Sequence, residues 1–409
     1  MDLLGRRGLD GVVSYYSPNA YYLSGYTPAG MHSIHEANGN AAVVVSRREP
    51  EKAIVLIAEQ YITYFTHQPT WIADIRPYTS GMSQLDLPVD RTLDRFVTAD
   101  LRGSDWARRM RERYEDSLTV GVSRALRDLG LDRGRVGFDN LRLAHRLALE
   151  DLTVADGYDL LKAVRAIKTG PEVELLRQAT ALNEEAILRA VRDWVPGTTW
   201  HEVNHRYAVH VAELGGFSRD PSPMALANLQ AGDPSAIPMQ TMLEPDYVLE
   251  PGMQIGFDAH GVHQGYCWDG GKTWTVGGEP TPAGARSARA AAAAMAEILA
   301  AMRTGSSVAG LQAHGRAILH KHGAPRPESA MIFFHGLGLE HGDMEMPAGS
   351  GYLSGRRADW VMERGMVVAV HLYCPGDAYE RHWIEDVGVV GDDGATPLFS
   401  WGFDPILGA

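Results

Sequence analysis

The sequence predicts two domains, an α/β domain followed by an α+β domain, on three observations. The chain has 409 residues, more than a single hydrophobic core usually organises. Short β-branched runs alternate with helical spacing in the first third of the chain. This pattern breaks at the IKTGP segment, residues 167–171. We therefore place the domains at residues 1–165 and 166–409.

The first domain is expected to be an α/β layer structure. Strand-like runs are GVVSYY at 11–16, AAVVVS at 41–46, EKAIVLIA at 51–58 and VGFDN at 136–140. Between them, residues 105–129 combine helical spacing with scattered charged residues, which predicts helical structure.

The second domain is expected to begin with a helix. Pro171 can occupy the first helical turn, apolar residues then recur every three or four positions from Val173 to Ala186, and Pro196 ends the pattern near Trp194. Strand-like runs separate and follow further helices, which are expected at 200–214, 285–302 and 308–322. This mixture indicates an α+β domain.

Composition excludes several functional classes. Hydrophobic residues make up 45% and charged residues 22% of the chain, as in ordinary globular proteins. The formal net charge of -13, without a Lys/Arg-rich run, argues against nucleic acid or an anionic membrane as partner. The N-terminus lacks the apolar core of a secretory signal, and the Ala-rich stretch at 290–302 is too short to cross a bilayer. With only Cys267 and Cys374, both in apolar segments, we expect a cytoplasmic protein without disulfides.

The most informative segment is IGFDAHGVHQGYCWDGGKTWTVG, residues 255–277. Two apolar runs flank a turn, so the segment predicts a β-hairpin with Asp258 and Asp269 on paired strands. Carboxylates among so many apolar and aromatic neighbours need a cation or strong hydrogen bonds to stay ionised. We therefore expect a metal there, the alternative being aspartates that only cap the end of the hairpin.

Three further residues complete a possible ligand set. His335 follows an apolar run directly into the Gly-rich turn HGLG, His371 interrupts the apolar run MVVAVHLYC, and Glu385 lies in RHWIEDVGVV. Each of these residues is weak evidence for a metal site when taken alone. Together with Asp258 and Asp269, they are expected at strand ends in one domain. The set matches the ligand preferences of Zn, Mn and Fe.

These motifs resemble the pita-bread superfamily of creatinases, prolidases and Xaa-Pro aminopeptidases. In that family two Asp lie eleven residues apart, with the second in a GYxxD motif, a His lies in an HGxG turn, a Glu follows a GMV strand, and a final Glu lies in an IED strand. Asp258, Asp269, His335 and Glu385 match this pattern, with His371 at the position of the first Glu. LDGVVSYYSPNAYYLSGYT and AIKTGPEVELLRQA also resemble the creatinase-like N-terminal domain and the interdomain linker. The resemblance therefore implies a pita-bread catalytic domain at 166–409.

Four departures from the family pattern bear on function. His371 replaces an anionic ligand by a neutral nitrogen. Met239 lies where the peptidases have a proton-handling His, and His341 comes one residue before their second conserved His. Trp383 replaces an Arg that often anchors the substrate carboxylate. Arg381 and Trp383 are expected to point toward the pocket with Glu385, since alternate residues share a strand face.

Three functions stay open at this point. The first is a hydrolase of a small amide or other C–N bond that uses metal-bound hydroxide, with His341, Glu345 and His382 as candidates for the general acid or base. This enzyme would be a poor Xaa-Pro peptidase. The second is a lyase or dehydratase in which a carboxylate or Tyr266 abstracts a proton, and the third is an inactive binding module. FHGLG, GYCWD and the downstream EMP resemble the dimethylsulfoniopropionate-lyase branch of the superfamily.

The expected cofactor is one or two divalent ions per chain, Fe, Zn or Mn. We expect Asp269, His335, His371 and Glu385 to bind the first ion and Asp258 to complete a second, weaker site. The resemblance further implies a homodimer that acts on a small-molecule substrate.

Overall fold

The computed structural model describes residues 1–26, 38–66, 70–80, 93–192, 194–218, 224–227, 239–240, 246–277, 279–344, 359–376, 380–402 and 406–407. The chain divides into two compact units, Met1–Val164 and Arg165–Ala409, and each is described by itself. The expected division into domains at 1–165 and 166–409 differs from this boundary by one residue, and the identity of each domain stays a prediction.

The first unit contains a six-stranded mixed sheet. Its strands are β1 (Gly11–Tyr16), β2 (Asn38–Ser46), β3 (Ile54–Ala58), β4 (Asp74–Tyr78), β5 (Arg135–Phe138) and β6 (Thr153–Asp156). They lie in the order β4-β3-β2-β1-β5-β6, with β2 antiparallel to β1 and β3 and the other neighbours parallel. The four strand-like runs predicted from the sequence correspond to β1, β2, β3 and β5.

Helices cover both faces of this sheet. They are α1 (Asp2–Arg6), α2 (Ser17–Ser24), α3 (Asp105–Glu112), α4 (Leu118–Asp128), α5 (Leu141–Ala144) and α6 (Leu160–Arg165). Successive residues of β3 alternate between two apolar clusters, one containing Met110 of α3 and the other Leu126 of α4. Burial on both faces explains why the strand sequences are continuously apolar.

The helical structure predicted for residues 105–129 is interrupted. Residues 113–117 leave the helix because Glu115 joins the end of β4: its N–H donates to the Pro77 carbonyl at 2.8 Å, and its carbonyl accepts from Thr79 at 3.0 Å. Ser117 then begins α4, its side chain accepting from the Val120 N–H. Helical spacing on both sides of the break concealed it in the sequence.

The second unit begins with two long helices, and two more follow the central strands. These are α7 (Gly170–Arg192), α8 (Trp200–Glu213), α9 (Pro282–Ala301) and α10 (Val308–Lys321). All four confirm the predicted helices to within three residues at each end. Among the described residues, no helix is both long and apolar enough to cross a membrane.

Twelve strands lie in the described parts of the second unit: β7 (Phe217–Ser218), β8 (Met224–Ala227), β9 (Met239–Gln240), β10 (Gln254–Asp258), β11 (Gly261–His263), β12 (Tyr266–Trp268), β13 (Gly271–Thr275), β14 (Met331–Gly336), β15 (Val367–Cys374), β16 (His382–Val390), β17 (Ala395–Pro397) and β18 (Ile406–Leu407). The main sheet has the order β14-β15-β16-β13-β10-β8-β9, with β17 paired to β16 and β18 to β13.

The four helices pack on one face of the main sheet. Ile332, Val370 and Ile384 point into the apolar cluster formed with α9 and α10, and Ile255 and Trp274 point into the cluster formed with α7 and α8. Side chains alternate across a strand. The opposite face, which we call the site face, therefore carries the odd-numbered residues of β14, β15 and β16.

The single hairpin predicted for residues 255–277 is in fact two nested strand pairs. The outer strands β10 and β13 pair in the main sheet, and the inner strands β11 and β12 pair in a separate sheet with β7. Gln264 and Gly265 form the inner turn with φ of 48° and 88°, which suits a tight two-residue hairpin turn. Asp258 consequently ends β10, whereas Asp269 lies in the link between β12 and β13.

Candidate metal centre

Three adjacent strands bring His335, His371 and Glu385 together on the site face. His371 lies directly opposite Glu385 in the β15–β16 ladder. Its Nδ1 is 3.2 Å from Glu385 Oε2, and its Nε2 is 2.8 Å from Nε2 of His335. The expectation that all ligand candidates lie at strand ends is wrong for His371 and Glu385, which are inside their strands and therefore rigidly held.

Asp269 and His341 approach this group from two loops. Asp269 Oδ2 is 3.1 Å from His335 Nε2 and 2.5 Å from His341 Nε2. His341 lies in the turn after β14, where the N–H groups of residues 342 and 343 both donate to the Gly336 carbonyl. His341 therefore reaches the cluster although it comes one residue earlier than the second His of the peptidases.

Four side chains offer donor atoms that all lie within 4.8 Å of one another: Asp269, His335, His371 and Glu385. Both carboxylate oxygens of Asp269 and of Glu385 are buried and accept no hydrogen bond among the described residues. Leaving buried carboxylates without donors costs several kcal/mol unless a cation replaces them. A set of two imidazoles and two carboxylates suits Zn, Fe or Mn, so these residues fit a metal ion.

The two carboxylates of this group differ in ionisation. Burial raises the pKa of Asp269, but His341 and His260 lower it by more, so this carboxyl titrates well below its usual range. Burial and the nearby Asp269 and Asp258 raise the pKa of Glu385 well above its usual range. The buried carboxylates thus repel one another, and a bound divalent cation would remove this repulsion.

His371 is held between two aromatic rings. Phe333 stacks on it at a centroid distance of 3.8 Å and an angle of 13°, and Trp383 meets it edge-on at 5.4 Å. Burial and the neighbouring His335 lower the pKa of His371 well below its usual range. The ring is therefore neutral, which is the form that binds a metal.

A further histidine, which the sequence prediction missed, lies between the two aspartates. Nε2 of His260 is 3.1 Å from Asp258 Oδ1 and 3.1 Å from Asp269 Oδ1. The sequence held a signal for it, because residues two apart in an extended segment share a face and His260 follows Asp258 by two.

Comparison with protein families matches residues 174–392, more than half of the chain, to metallopeptidase family M24. The chain belongs to metallopeptidase family M24. Among solved structures, a dipeptidase from Pyrococcus horikoshii OT3 is 19% identical, with a TM-score of 0.70, and covers 99% of this chain and 98% of its own. An X-Pro aminopeptidase from Thermotoga maritima MSB8 is 17% identical, with a TM-score of 0.68 and coverage of 99% and 98%. A prolidase from Pyrococcus furiosus is 17% identical, with a TM-score of 0.65 and coverage of 97% and 98%.

These similarities confirm the pita-bread fold of M24 with a mixed α/β N-terminal unit. No curated protein matches the sequence. That this M24 chain is related to the dimethylsulfoniopropionate-lyase branch stays a prediction.

Three residues of this M24 chain were expected to bind substrate, Trp383, Arg381 and Met239, and their surroundings differ from one another. Trp383 lies beside His371 on the site face, and its indole N–H is buried and has no acceptor among the described residues. Arg381 precedes β16, is buried, and donates from Nε to the Gly376 carbonyl at 3.2 Å. Met239 pairs with Leu226 through its backbone, but its side chain lies outside the described part of the structure.

Among the remaining candidates for acid–base roles in this M24 site, the prediction for His382 is wrong, because its side chain points away from Glu385. It lies on the face of β16 opposite to Glu385, where burial and Lys272 lower its pKa to about 3. Tyr266 is buried, and its hydroxyl donates to Glu172 Oε1 on α7 at 3.2 Å. This hydrogen bond does not direct the hydroxyl toward Asp269 or Glu385. Glu345 lies outside the described residues.

A buried ionic network supports the M24 turn that carries His341. Arg165 contacts Glu340 and lies 2.7 Å from Asp343 Oδ1, and Lys168 Nζ is 3.7 Å from Asp343 Oδ2. Arg165 is fully buried. The sequence prediction missed this network, because nothing in the segment RAIKTGP, residues 165–171, indicates that its two cations pair with acids almost 180 residues away.

Proposed function

We propose that this M24 chain is a metal-dependent hydrolase of a small amide or other C–N-bonded substrate and a poor Xaa-Pro peptidase. The observation that carries the proposal is the buried group of Asp269, His335, His371 and Glu385, whose donor atoms lie within 4.8 Å of one another. Within the described ranges, the carboxylate oxygens of this group accept no hydrogen bond, as expected where a cation belongs. The ion is Fe, Zn or Mn.

In this proposal each residue has a distinct role. A bound divalent ion supplies a Lewis acid that activates water and polarises the bond to be cleaved. Asp269, His335, His371 and Glu385 bind it, and Phe333 and Trp383 fix the His371 ring between them. His341, the candidate acid or base, has a side chain that is 34% exposed and contacts Asp269, so it can exchange a proton between the site and solvent.

The proposal excludes efficient Xaa-Pro cleavage on the basis of Trp383. An indole cannot pair with a substrate carboxylate as a guanidinium does. Arg381 is next to β16 but is buried and bonded to the Gly376 carbonyl. We therefore propose that the pocket favours a substrate without a free carboxylate at this position.

The proposal is tested by metal analysis and product analysis together. Protein purified without chelators should contain a stoichiometric transition metal, and His335→Ala should lose both the metal and amide hydrolysis. His314→Ala removes an imidazole whose side chain is 39% exposed and should change neither. Unchanged metal content in His335→Ala contradicts the ligand assignment, and an unsaturated product without uptake of water contradicts hydrolysis.

We also propose a homodimer acting on a small molecule in the cytoplasm. The support is the resemblance to the creatinase and prolidase superfamily, together with the acidic charge and low cysteine content. A light-scattering mass of one chain at micromolar concentration contradicts the dimer.

A further inference from the structure

Three fully buried polar side chains form a series of hydrogen bonds beside Asp269. The indole N–H of Trp268 on β12 donates to the Tyr207 hydroxyl on α8 at 3.1 Å, and this hydroxyl donates to Asn183 Oδ1 on α7 at 2.7 Å. Asn183 Nδ2 donates in turn to the Gly270 carbonyl at 3.0 Å. We call Asn183, Tyr207 and Trp268 the Asn–Tyr–Trp network. Its two ends therefore meet the backbone immediately before and immediately after Asp269.

The network is more complete than burial in this part of the structure requires. Its three side chains are 0% exposed, and each of their polar atoms has a hydrogen-bond partner. In the same apolar cluster, the indole N–H groups of Trp194, Trp200 and Trp274 have no acceptor within the described residues. The cluster thus tolerates indoles without a partner, unlike that of Trp268. Because asparagine is also a poor helix former, Asn183 in the middle of α7 indicates a specific role.

The Trp268 ring packs directly against two glycines. A Cβ atom on Gly261 would lie 1.9 Å from Trp268 Cζ2, and a Cβ atom on Gly216 would lie 2.8 Å from Trp268 Cη2. Both distances are far shorter than van der Waals contact, so glycine is required at both positions. The indole is therefore held by close packing as well as by its hydrogen bond to Tyr207.

The Gly270 carbonyl joins the network to the links that follow both aspartates. It accepts from Asn183 Nδ2 at 3.0 Å and from the Ala259 N–H at 3.3 Å. Ala259 directly follows Asp258, and Gly270 directly follows Asp269. Gly270 also has a φ of 113°, a conformation that favours glycine. The backbone after Asp269 is therefore fixed by a special conformation and by two hydrogen bonds.

The backbone position decides where the Asp269 carboxylate lies. This side chain is 0% exposed, and its two oxygens take no hydrogen bond from the parts of the chain that the structure describes. A metal site needs its ligands within about 0.5 Å of the correct geometry, and the short aspartate side chain moves with its backbone. Burial raises the pKa of Tyr207, so its hydroxyl stays protonated and continues to donate to Asn183.

We propose that Asn183 and Tyr207 are positioning residues that hold Asp269, through Trp268 and Gly270, in the place where it binds the metal ion. This inference rests on the proposed function, because it takes Asp269 as a ligand. No member of the network offers an atom to the group of four ligands within the described residues. Its effect on metal binding therefore acts through the backbone of residues 268–270.

The test is a Co²⁺ titration of metal-free full-length protein against a competing chelator, with the visible absorption of bound Co²⁺ as a second readout. Tyr207→Phe removes one oxygen atom and its two hydrogen bonds, and Asn183→Ala removes the hydrogen bond to the backbone beside Asp269. The matched control is Asn204→Ala. Asn204 is a 3% exposed asparagine of α8 whose Nδ2 donates to the Trp200 carbonyl of the same helix at 2.9 Å. Asp269→Ala gives the loss of affinity expected when the ligand itself is absent.

Circular dichroism of each metal-free variant establishes that it is folded, and urea unfolding measures its stability. Asn183→Ala and Asn204→Ala should both lower the urea midpoint, because each loses a buried hydrogen bond. Asn183→Ala and Tyr207→Phe should also bind Co²⁺ at least about tenfold more weakly than the native protein, as when residues that orient a metal ligand are lost. Their Co²⁺ absorption should shift, whereas Asn204→Ala should keep the native affinity and spectrum. If Asn183→Ala does not fold, Tyr207→Phe decides the question.

Native Co²⁺ affinity and absorption in folded Tyr207→Phe overturn the inference and leave the proposed function intact. An equal loss of affinity in Asn204→Ala also overturns it, because general loosening of the helices would then explain the effect. Native affinity in Asp269→Ala overturns it as well, since there would be no ligand to position. Absence of bound Co²⁺ in the native protein overturns the proposed function together with the inference.

Discussion

Replacing Arg165 by Leu tests whether the buried ionic network holds the turn that carries His341. The variant removes a fully buried guanidinium and leaves Glu340 and Asp343 buried, with Lys168 at 3.7 Å from Asp343 as a remaining cation. Removing one partner of a buried ion pair costs about 3–5 kcal/mol. Because Lys168 still neutralises part of the charge, we expect the lower end, about 3 kcal/mol of unfolding free energy.

Urea unfolding followed by circular dichroism measures this loss, and Arg364→Ala provides the control. Arg364 pairs with Asp392 at 3.0 Å, but the two side chains are 75% and 60% exposed, so its loss should cost about 0–1 kcal/mol. Arg165→Leu should also weaken the activity that depends on His341. Equal stabilities of the two variants within about 0.5 kcal/mol would refute a structural role for the network.

Three further predictions concern side chains of β15 and β16. His371→Glu should increase binding of a second ion, most clearly Mn²⁺, and reduce the native reaction, as measured by calorimetry and turnover, because it restores the oxygen ligand of the family. His382→Leu should leave metal content unchanged but reduce the loss of stability in acid. The pKa of His382 is lowered from 6.5 to about 3, so the unfolded chain binds its proton first and native stability falls as the pH drops from 6.5 toward 3; equal pH profiles of native protein and variant would contradict this placement. Trp383→Arg should raise hydrolysis of Ala-Pro at least about tenfold, since one charge-assisted contact contributes about 1.5–3 kcal/mol, and unchanged turnover would show that this position does not select substrates.

The main elements of the fold could be predicted from local patterns. The four long helices of the second unit follow from apolar spacing, with Pro171 and Pro196 near the two ends of α7, and β1, β2, β3 and β5 follow from β-branched runs. The break between α3 and α4 could not be predicted, because it depends on hydrogen bonds from Glu115 to β4, which is distant in sequence.

The candidate site could also be predicted in part from local patterns. Motif spacing singled out Asp269, His335 and Glu385, and the structure brings their side chains together. Which face of β16 carries His382 follows from strand alternation, so its placement on the helix-covered face was available from the sequence.

His260 and the Arg165 network show the limit of sequence patterns. His260 follows Asp258 by two residues, which local spacing shows, but its contact with Asp269 depends on how the two nested strand pairs fold. Arg165 acquires its partners through packing of the linker against the turn at 340–343. Both depend on long-range contacts that no local spacing encodes.

The central claim is that one divalent ion lies between Asp269, His335, His371 and Glu385. Anomalous diffraction at the absorption edge of the metal found in the purified protein tests it most directly. We expect a peak about 2.0–2.2 Å from an oxygen of each carboxylate and a nitrogen of each imidazole. A metal-replete crystal with no peak among these four side chains, or with its peak at other residues, would contradict the claim.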